Sequence, residues 1–222
     1  MEAKNKKRVL VLIDGFNYYH KLDNYQKSQK ECVKWLDYSA LLNEAIYNHL
    51  KKSQVDISTE IIFFTAIAHH RGDDSVKRHT IYLNALKSTG IKVVEGEFKK
   101  KYIDICKDCT QKNKSEKRLK HEEKHTDVNI AITMLEKAFL NEFDRVYLLS
   151  EDNDYVPAVK RVKELFPEKE IIICPPPQKG YSVNTLVKAS GESDFYRINW
   201  RQIKRFQFPN NFNGLENPWE IN

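Results

Sequence analysis

The sequence predicts an α/β protein in which a mainly parallel sheet carries helices on both faces. Three observations lead there. Val9 to Ile13 is an unbroken apolar run that stops at Asp14-Gly15, the pattern of a strand buried on both faces. Comparable runs recur at 57–68, 91–94, 145–149 and 171–174. Segments of helical periodicity separate most of them, and strand–helix alternation is how βαβ units are written.

Each element follows from its residues. Residues 1–7 are a polar, basic lead-in to the first strand, 8–13. Gly15 is expected to allow a sharp turn out of the sheet. Tyr18 to Leu36 shows no sustained periodicity and is expected to be irregular, with room for short helical turns. Asp37 to Lys52 reads as a helix with Leu41, Leu42, Ala45, Ile46 and Leu50 on one face. Ile57 to Ala68 is the second strand. Asp73 to Thr89 is a helix ended by Thr89-Gly90, and Ile91 to Val94 is a short third strand. Glu97 to His125 breaks the pattern. It is basic and poor in apolar residues, and reads as an insertion, a hairpin followed by a loop. Thr126-Asp127 opens an apolar helix to Leu140. Arg145 to Leu149 is a strand, and Asp154 to Phe166 a helix with Pro157 in its first turn, where no N–H is needed. Ile171 to Cys174 is a strand stopped by Pro175-Pro176-Pro177. Val183 to Ala189 suggests a short helix and Ser193 to Ile198 an edge strand. Phe206 to Asn222, rich in Asn, Pro and aromatics, is read as a docked or mobile tail. The main domain is thus placed at 1–198 and the tail at 199–222.

Composition narrows the class. The chain has 222 residues, 41% hydrophobic and 31% charged, which fits a globular protein with a substantial core. No apolar run approaches membrane-spanning length. The N-terminus lacks the apolar segment of a signal peptide, so a cytoplasmic protein with reduced cysteines is expected. Net charge is +6 with the basic residues clustered, which leans toward a polyanionic partner.

The acids are placed where chemistry is expected. In open α/β sheets, ligands bind at the carboxyl ends of the strands. Asp14 ends the first strand, Asp152 and Asp154 follow the strand at 145–149, and Asp127 opens the helix leading into that strand. If those two strands are neighbours, the carboxylates converge. Each has an ordinary use, as a helix N-cap or a partner of the helix dipole. Together they need a cation or a proton. Two unit charges about 4 Å apart repel by roughly 4 kcal/mol at an effective dielectric of 20. Hard oxygen ligands in an open site suit Mg²⁺ or Mn²⁺, and such an ion supports phosphodiester hydrolysis.

Three stretches carry a resemblance: Val-Leu-Ile-Asp14-Gly-Phe-Asn17, Lys124-His-Thr-Asp127-Val-Asn-Ile-Ala-Ile, and Leu-Leu-Ser150-Glu-Asp152-Asn-Asp154-Tyr. In order and spacing, across roughly residues 8–190, they resemble the motifs of NYN domains of the LabA-like branch, within the PIN-like nuclease superfamily. The resemblance implies a Rossmann-like three-layer α/β/α sandwich and a divalent-metal ribonuclease site. It places Asp14, Asp127 and Asp152 on the Mg²⁺ or Mn²⁺, adds Asp154 to the acidic cluster, and has Asn17 orient a phosphate, a water or a metal-bound group. Glu151 departs from the pattern, since relatives usually have Gly there. It is expected to add charge to the site or narrow the approach.

The insertion holds a second pattern. Cys106-x2-Cys109-x11-His121-x3-His125 is close to C₂H₂ zinc spacing. A helical turn would put His121 and His125 on one face, and a structural Zn²⁺ would organise a segment too polar to fold alone. Two cysteines and two unrelated histidines in a loop, or His125 turned toward the acidic site, are the competing readings.

For nucleic-acid contact, Lys99, Lys100, Lys101, Lys112, Lys114, Lys117, Arg118 and Lys120 can track phosphates beside the cleft. Tyr18, Tyr19 and Tyr155 flank the acidic motifs and can stack on bases or pack in the core. His69, His70, Arg71, Arg78 and His79 form a second basic group, from which Arg78 is chosen for a phosphate. The leading expectation is a Mg²⁺- or Mn²⁺-dependent endoribonuclease acting on single-stranded or structured RNA. The alternatives are a non-catalytic RNA-binding module of the same fold and a small-molecule phosphatase with Asp14 as nucleophile. The last is disfavoured because no second acid lies two residues after Asp14.

Overall fold

A computed structural model describes residues 6–50, 57–106, 115–178, 185–191 and 195–220, without the side chains of 103–106 and 115–118. Its centre is a six-stranded sheet in the order β4-β3-β2-β1-β5-β6. The strands are β1 (Lys7–Asp14), β2 (Ile57–Ala66), β3 (Lys92–Cys106), β4 (Ser115–Lys124), β5 (Arg145–Leu149) and β6 (Glu170–Ile173). All neighbours run parallel except β3 and β4, which form an antiparallel hairpin at one edge.

The apolar run of β1 is buried on both faces, as its sequence requires. Val9, Val11 and Ile13 face one core; Leu10 and Leu12 face the other. Helices α1 (Gly15–Gln29), α2 (Tyr38–Leu50) and α3 (Asp73–Ser88) contribute to the first core. Helices α4 (Thr126–Phe139), α5 (Val156–Leu165) and α6 (Thr185–Ser190) contribute to the second. This is the expected α/β/α sandwich. Strand order reverses between β1 and β5, so the switch-point crevice opens between Asp14 and the residues after Leu149.

Several elements differ from expectation. Residues 18–29 are not irregular. They continue α1, whose buried positions are only Gly15, Tyr18 and Leu22. So narrow an apolar face leaves little periodicity in a window. Gly15 does not make a turn; it opens α1. A Cβ there would lie 2.6 Å from both the Phe64 carbonyl oxygen and Phe63 Cζ. The glycine therefore lets α1 start against β2. The third strand is longer than expected, running on past Val94 into the hairpin. The expected edge strand at 193–198 is, among the described residues, one bridge between Phe195 and Ile173.

The tail docks. Helix α7 (Trp200–Arg205) and the short hairpin β7 (Asn211–Phe212) and β8 (Leu215–Glu216) lie against the first core. Buried Phe208 sits 5.2 Å from the Trp35 ring, and the Trp35 indole donates to the Pro209 carbonyl at 2.8 Å. Among the described residues, no helix is long and apolar enough to cross a membrane.

Candidate active site

Asp14 is the pivot. It ends β1, is 4% exposed, and caps α1 by accepting from the Asn17 amide at 3.0 Å. The capping role and the site role thus fall on one side chain. Its Oδ2 also receives two hydroxyls, from Ser150 Oγ and Tyr155, each at 3.0 Å. The Tyr155 hydroxyl lies 2.7 Å from Asp127 Oδ1 as well. A phenol has one proton to give, so it serves one carboxylate at a time. The carboxylates of Asp14 and Asp127 therefore stand on either side of one oxygen.

Asp152 joins through Ser150. The Asp152 amide donates to Ser150 Oγ at 3.1 Å, and Asp152 Oδ1 caps the next turn by accepting from the Asp154 amide at 3.0 Å. Asp154 itself is exposed at the rim. Asn17 ties α1 to the same turn, its Oδ1 accepting from the Glu151 amide at 3.2 Å. The side chain of Glu151 pairs with Lys21 at 2.7 Å and accepts from Gln178 at 2.9 Å. Its charge is thus countered locally, and the departure from Gly does not place another bare acid beside Asp14.

A further acid enters that sequence reasoning missed. Glu123, near the end of β4, accepts a short hydrogen bond from Thr126 Oγ1. Burial pushes its carboxyl up to about 7, helped by the charges of Asp14 and Asp127. Burial likewise lifts Asp14 to about 6, against the hydrogen bonds from Asn17, Tyr155 and Ser150, with the charge of Asp127 adding to the rise. No sequence signal points to Glu123: residues 115–124 hold a single apolar residue, Leu119, and show no strand alternation. Gly96 makes room at this corner, because a Cβ there would meet the Lys124 carbonyl at 2.8 Å and Thr126 Oγ1 at 2.9 Å.

The donors are hard oxygens in mutual repulsion, which is the chemistry of a Mg²⁺ or Mn²⁺ site. Among the described residues, no three His, Cys, Asp or Glu side chains form a ready cluster. The set is partial, and Mg²⁺ commonly takes one or two carboxylates and keeps its waters. Asp14 and Asp127, on either side of the Tyr155 hydroxyl, supply oxygens of the kind such an ion takes.

The tyrosines divide. Tyr18 is fully buried and donates to the Cys174 carbonyl at 2.9 Å, so it belongs to the core and offers no ring face to a base. Tyr155 is equally buried; its contribution is the hydroxyl. Tyr19 is half-buried and lines a cavity with Arg78. Lys99, Lys100, Lys101 and Lys120 are exposed on the β3–β4 hairpin. Lys117 and Arg118 lie on β4 with side chains outside the described residues, and Lys112 and Lys114 fall wholly outside them.

The zinc geometry changes. His121 is on β4 opposite Lys100, not on a helical turn, and its ring stacks on His70 at 3.9 Å. His125 is the exposed residue before α4, with φ 79°. A hairpin strand replaces the expected turn because 115–124 pairs with β3. Cys109 and the side chain of Cys106 lie outside the described residues.

A mainly parallel α/β sheet with carboxylates at its switch point and an antiparallel hairpin at its edge is consistent with the PIN-like nuclease superfamily. Residues 8–190 match the model of the NYN domain, and the chain belongs to that family. It is also similar to 6-hydroxy-3-succinoylpyridine 3-monooxygenase HspA of Pseudomonas putida (strain DSM 28022 / S16). Identity is 26% over a 200-residue alignment that covers 80% of this chain and 62% of that relative. A crystal structure of a protein of unknown function from Vibrio parahaemolyticus RIMD 2210633 matches at a TM-score of 0.51 and 19% identity. The match covers 89% of this chain and 96% of that one, and at that identity it speaks for the fold alone.

Proposed function

We propose that this protein is a Mg²⁺- or Mn²⁺-dependent endoribonuclease. The observation that carries the reading is the joining of three chain segments at one point. Asp14 after β1, Asp127 at the start of α4 and the Asp152 turn after β5 are linked through the hydroxyls of Tyr155 and Ser150. Asp14, Asp127 and Asp152 would hold the ion, with Glu123 beside them and Asp154 at the rim. The bound ion would supply a nucleophilic water and neutralise charge on the phosphate.

The chain's own groups set the stage. Asn17 and Ser150 fix the loops that carry the acids. Tyr155 bridges Asp14 and Asp127, its hydroxyl donating a hydrogen bond to one of them at a time. The exposed lysines of the hairpin would receive the RNA backbone. Residues 8–190 would form the nuclease domain, with the docked C-terminal segment completing its first core.

The second reading is an RNA-binding module without turnover, favoured by the close engagement of Asp14 and Asp127 by one phenol. The monooxygenase relative offers a third, weighed down by 26% identity and coverage of 62% of that protein. A labelled single-stranded RNA is incubated with Mn²⁺, Mg²⁺ or EDTA, beside Asp14→Asn and Asp152→Asn. Cleavage abolished by EDTA and by both substitutions supports the nuclease. Salt-sensitive binding without cleavage supports the module instead.

A further inference from the structure

Beside the acidic site, the carboxyl edge holds a cavity of about 580 Å³. That volume lies within the roughly 300–1,000 Å³ of small-molecule sites. The cavity sits between α1 and α3 over the end of β2, and it begins at Gly15 and Phe16, the two residues after Asp14. Trp219 of the docked tail forms part of its wall.

Three kinds of group meet in it. Phe16, Tyr19, Tyr82 and Trp219 supply aromatic walls. Arg71 and Arg78 stand exposed among its lining residues, and among the described residues neither has a carboxylate partner. The acid in the wall, Asp23, is already held by Lys27 at 2.6 Å and Lys34 at 2.8 Å. The other, Glu220, accepts from Asn210. Deeper in, Thr65 Oγ1, on a residue 2% exposed, lies 3.3 Å from His79 Nε2. Such a hydroxyl–imidazole pair can offer a donor or an acceptor to a ring edge.

Aromatic walls suit a planar ring, free arginines suit an attached anion, and the buried polar pair suits a ring with heteroatoms. A nucleobase with its phosphate has all three. We infer that this cavity is a nucleotide subsite: it takes one base out of the RNA strand and holds the adjoining phosphate on Arg71 and Arg78. Single-strand recognition requires such an unstacked base. The inference rests on the ribonuclease reading, and α1 explains how the two sites cooperate. One helix is capped by Asp14 and carries Phe16 and Tyr19, so a seated base sets where the next phosphodiester falls relative to the carboxylates.

The test separates the two sites. AMP, GMP, CMP and UMP are titrated into the full chain in EDTA by calorimetry, with pyridine-3-carboxylate as a small aromatic acid. The wild type, Arg71→Gln/Arg78→Gln and Asp14→Asn are compared, each checked for a native melt. Saturable binding of at least one monophosphate is expected. It should weaken tenfold or more in the double arginine variant and stay within twofold in Asp14→Asn. The base preferred in the titration should also be the base preferred next to the cleaved bond. Binding of pyridine-3-carboxylate alone, with the same arginine dependence, overturns the nucleotide assignment in favour of a small aromatic acid. No binding of any probe overturns the subsite, even if RNA is cleaved. Nucleotide binding with the expected variant pattern but no cleavage upholds the subsite and sinks the ribonuclease reading.

Discussion

Asp14→Asn should abolish metal-dependent cleavage and yet make the protein more stable at neutral pH. Asp14 is almost completely buried, and burial lifts its carboxyl from 3.8 to about 6. A carboxyl that holds its proton more tightly when folded than when unfolded costs stability as pH rises through the unfolded value. The cost is complete once pH passes the folded value. At about 1.4 kcal/mol per pH unit, the charged form costs about 3 kcal/mol at pH 7 and about 1 kcal/mol at pH 4.5. Asn keeps the N-cap to the Asn17 amide. The bonds to the charged carboxylate are already contained in the folded value of about 6, but the amide nitrogen of Asn replaces Oδ2, and Ser150 and Tyr155 lose the acceptor they share there, about 1–2 kcal/mol. The net gain is then about 1–2 kcal/mol at pH 7, or roughly 2–8 °C in melting temperature for a chain of this size, and it falls to zero or to a loss of up to about 1 kcal/mol at pH 4.5. Urea and thermal unfolding in EDTA, at both pH values, would measure it. A variant less stable than wild type at pH 7, or a gain that grows on acidification, would refute the assignment of Asp14 as a strained, buried carboxylate.

Other expectations follow from the same geometry. Tyr155→Phe keeps the buried ring but removes the hydroxyl shared by Asp14 and Asp127. Stability in EDTA should fall by about 1–2 kcal/mol and RNA cleavage should drop, as read by urea unfolding and the cleavage assay. Gly15→Ala sets a Cβ against the Phe64 backbone carbonyl. That clash should cost about 1–3 kcal/mol in thermal unfolding and lower cleavage by displacing the start of α1. A melting scan against pH in EDTA should peak at about pH 5, below neutrality. Against the cost of burial, Lys92 and Lys137 hold Glu60 low, and Lys7 and Arg145 hold Glu170 low. Their contribution is present above the unfolded carboxylate value and is lost as pH falls through the folded one. Asp14 and Glu123 carry the opposite sign and erode stability as pH climbs toward 7. A scan rising monotonically to pH 8 would contradict it. Phe208→Ala should cost about 3–5 kcal/mol by denaturant melt, because the ring is buried against Trp35 and stacked on Phe212 at 4.4 Å. A surface-like effect of a few tenths would mean that the tail does not belong to the core.

The elements that were legible in the chain were those whose burial is extreme. A strand covered on both faces must be apolar throughout, so Val9 to Ile13 and Val146 to Leu149 announce themselves. Helix α1 was illegible for the opposite reason: it fully buries three residues, and its other aromatics are only partly covered, Tyr25 by Trp200 and Phe16 by Phe98. The hairpin strand β4 was equally hidden, since its edge position lets it be written in Lys and Glu. Edge strands commonly carry such charge to resist pairing with other chains. The tyrosines show the limit of composition: Tyr18 and Tyr19 are adjacent in sequence, yet one is core and the other lines a cavity.

By itself the sequence determined the parallel strands of the sheet and the three acidic stretches at its carboxyl edge. Those follow from local hydrophobic pattern and from where strands end. Only the tertiary structure decided that β1 lies beside β5, that one phenol stands between Asp14 and Asp127, and that Glu123 comes back along a hairpin to join them. It also decided that helices α1 and α3 enclose a cavity walled in part by the tail. The Tyr155–Asp14 hydrogen bond alone joins residues 141 positions apart in the chain. Their geometry is set by which faces pack together, a long-range outcome that no local window of residues contains.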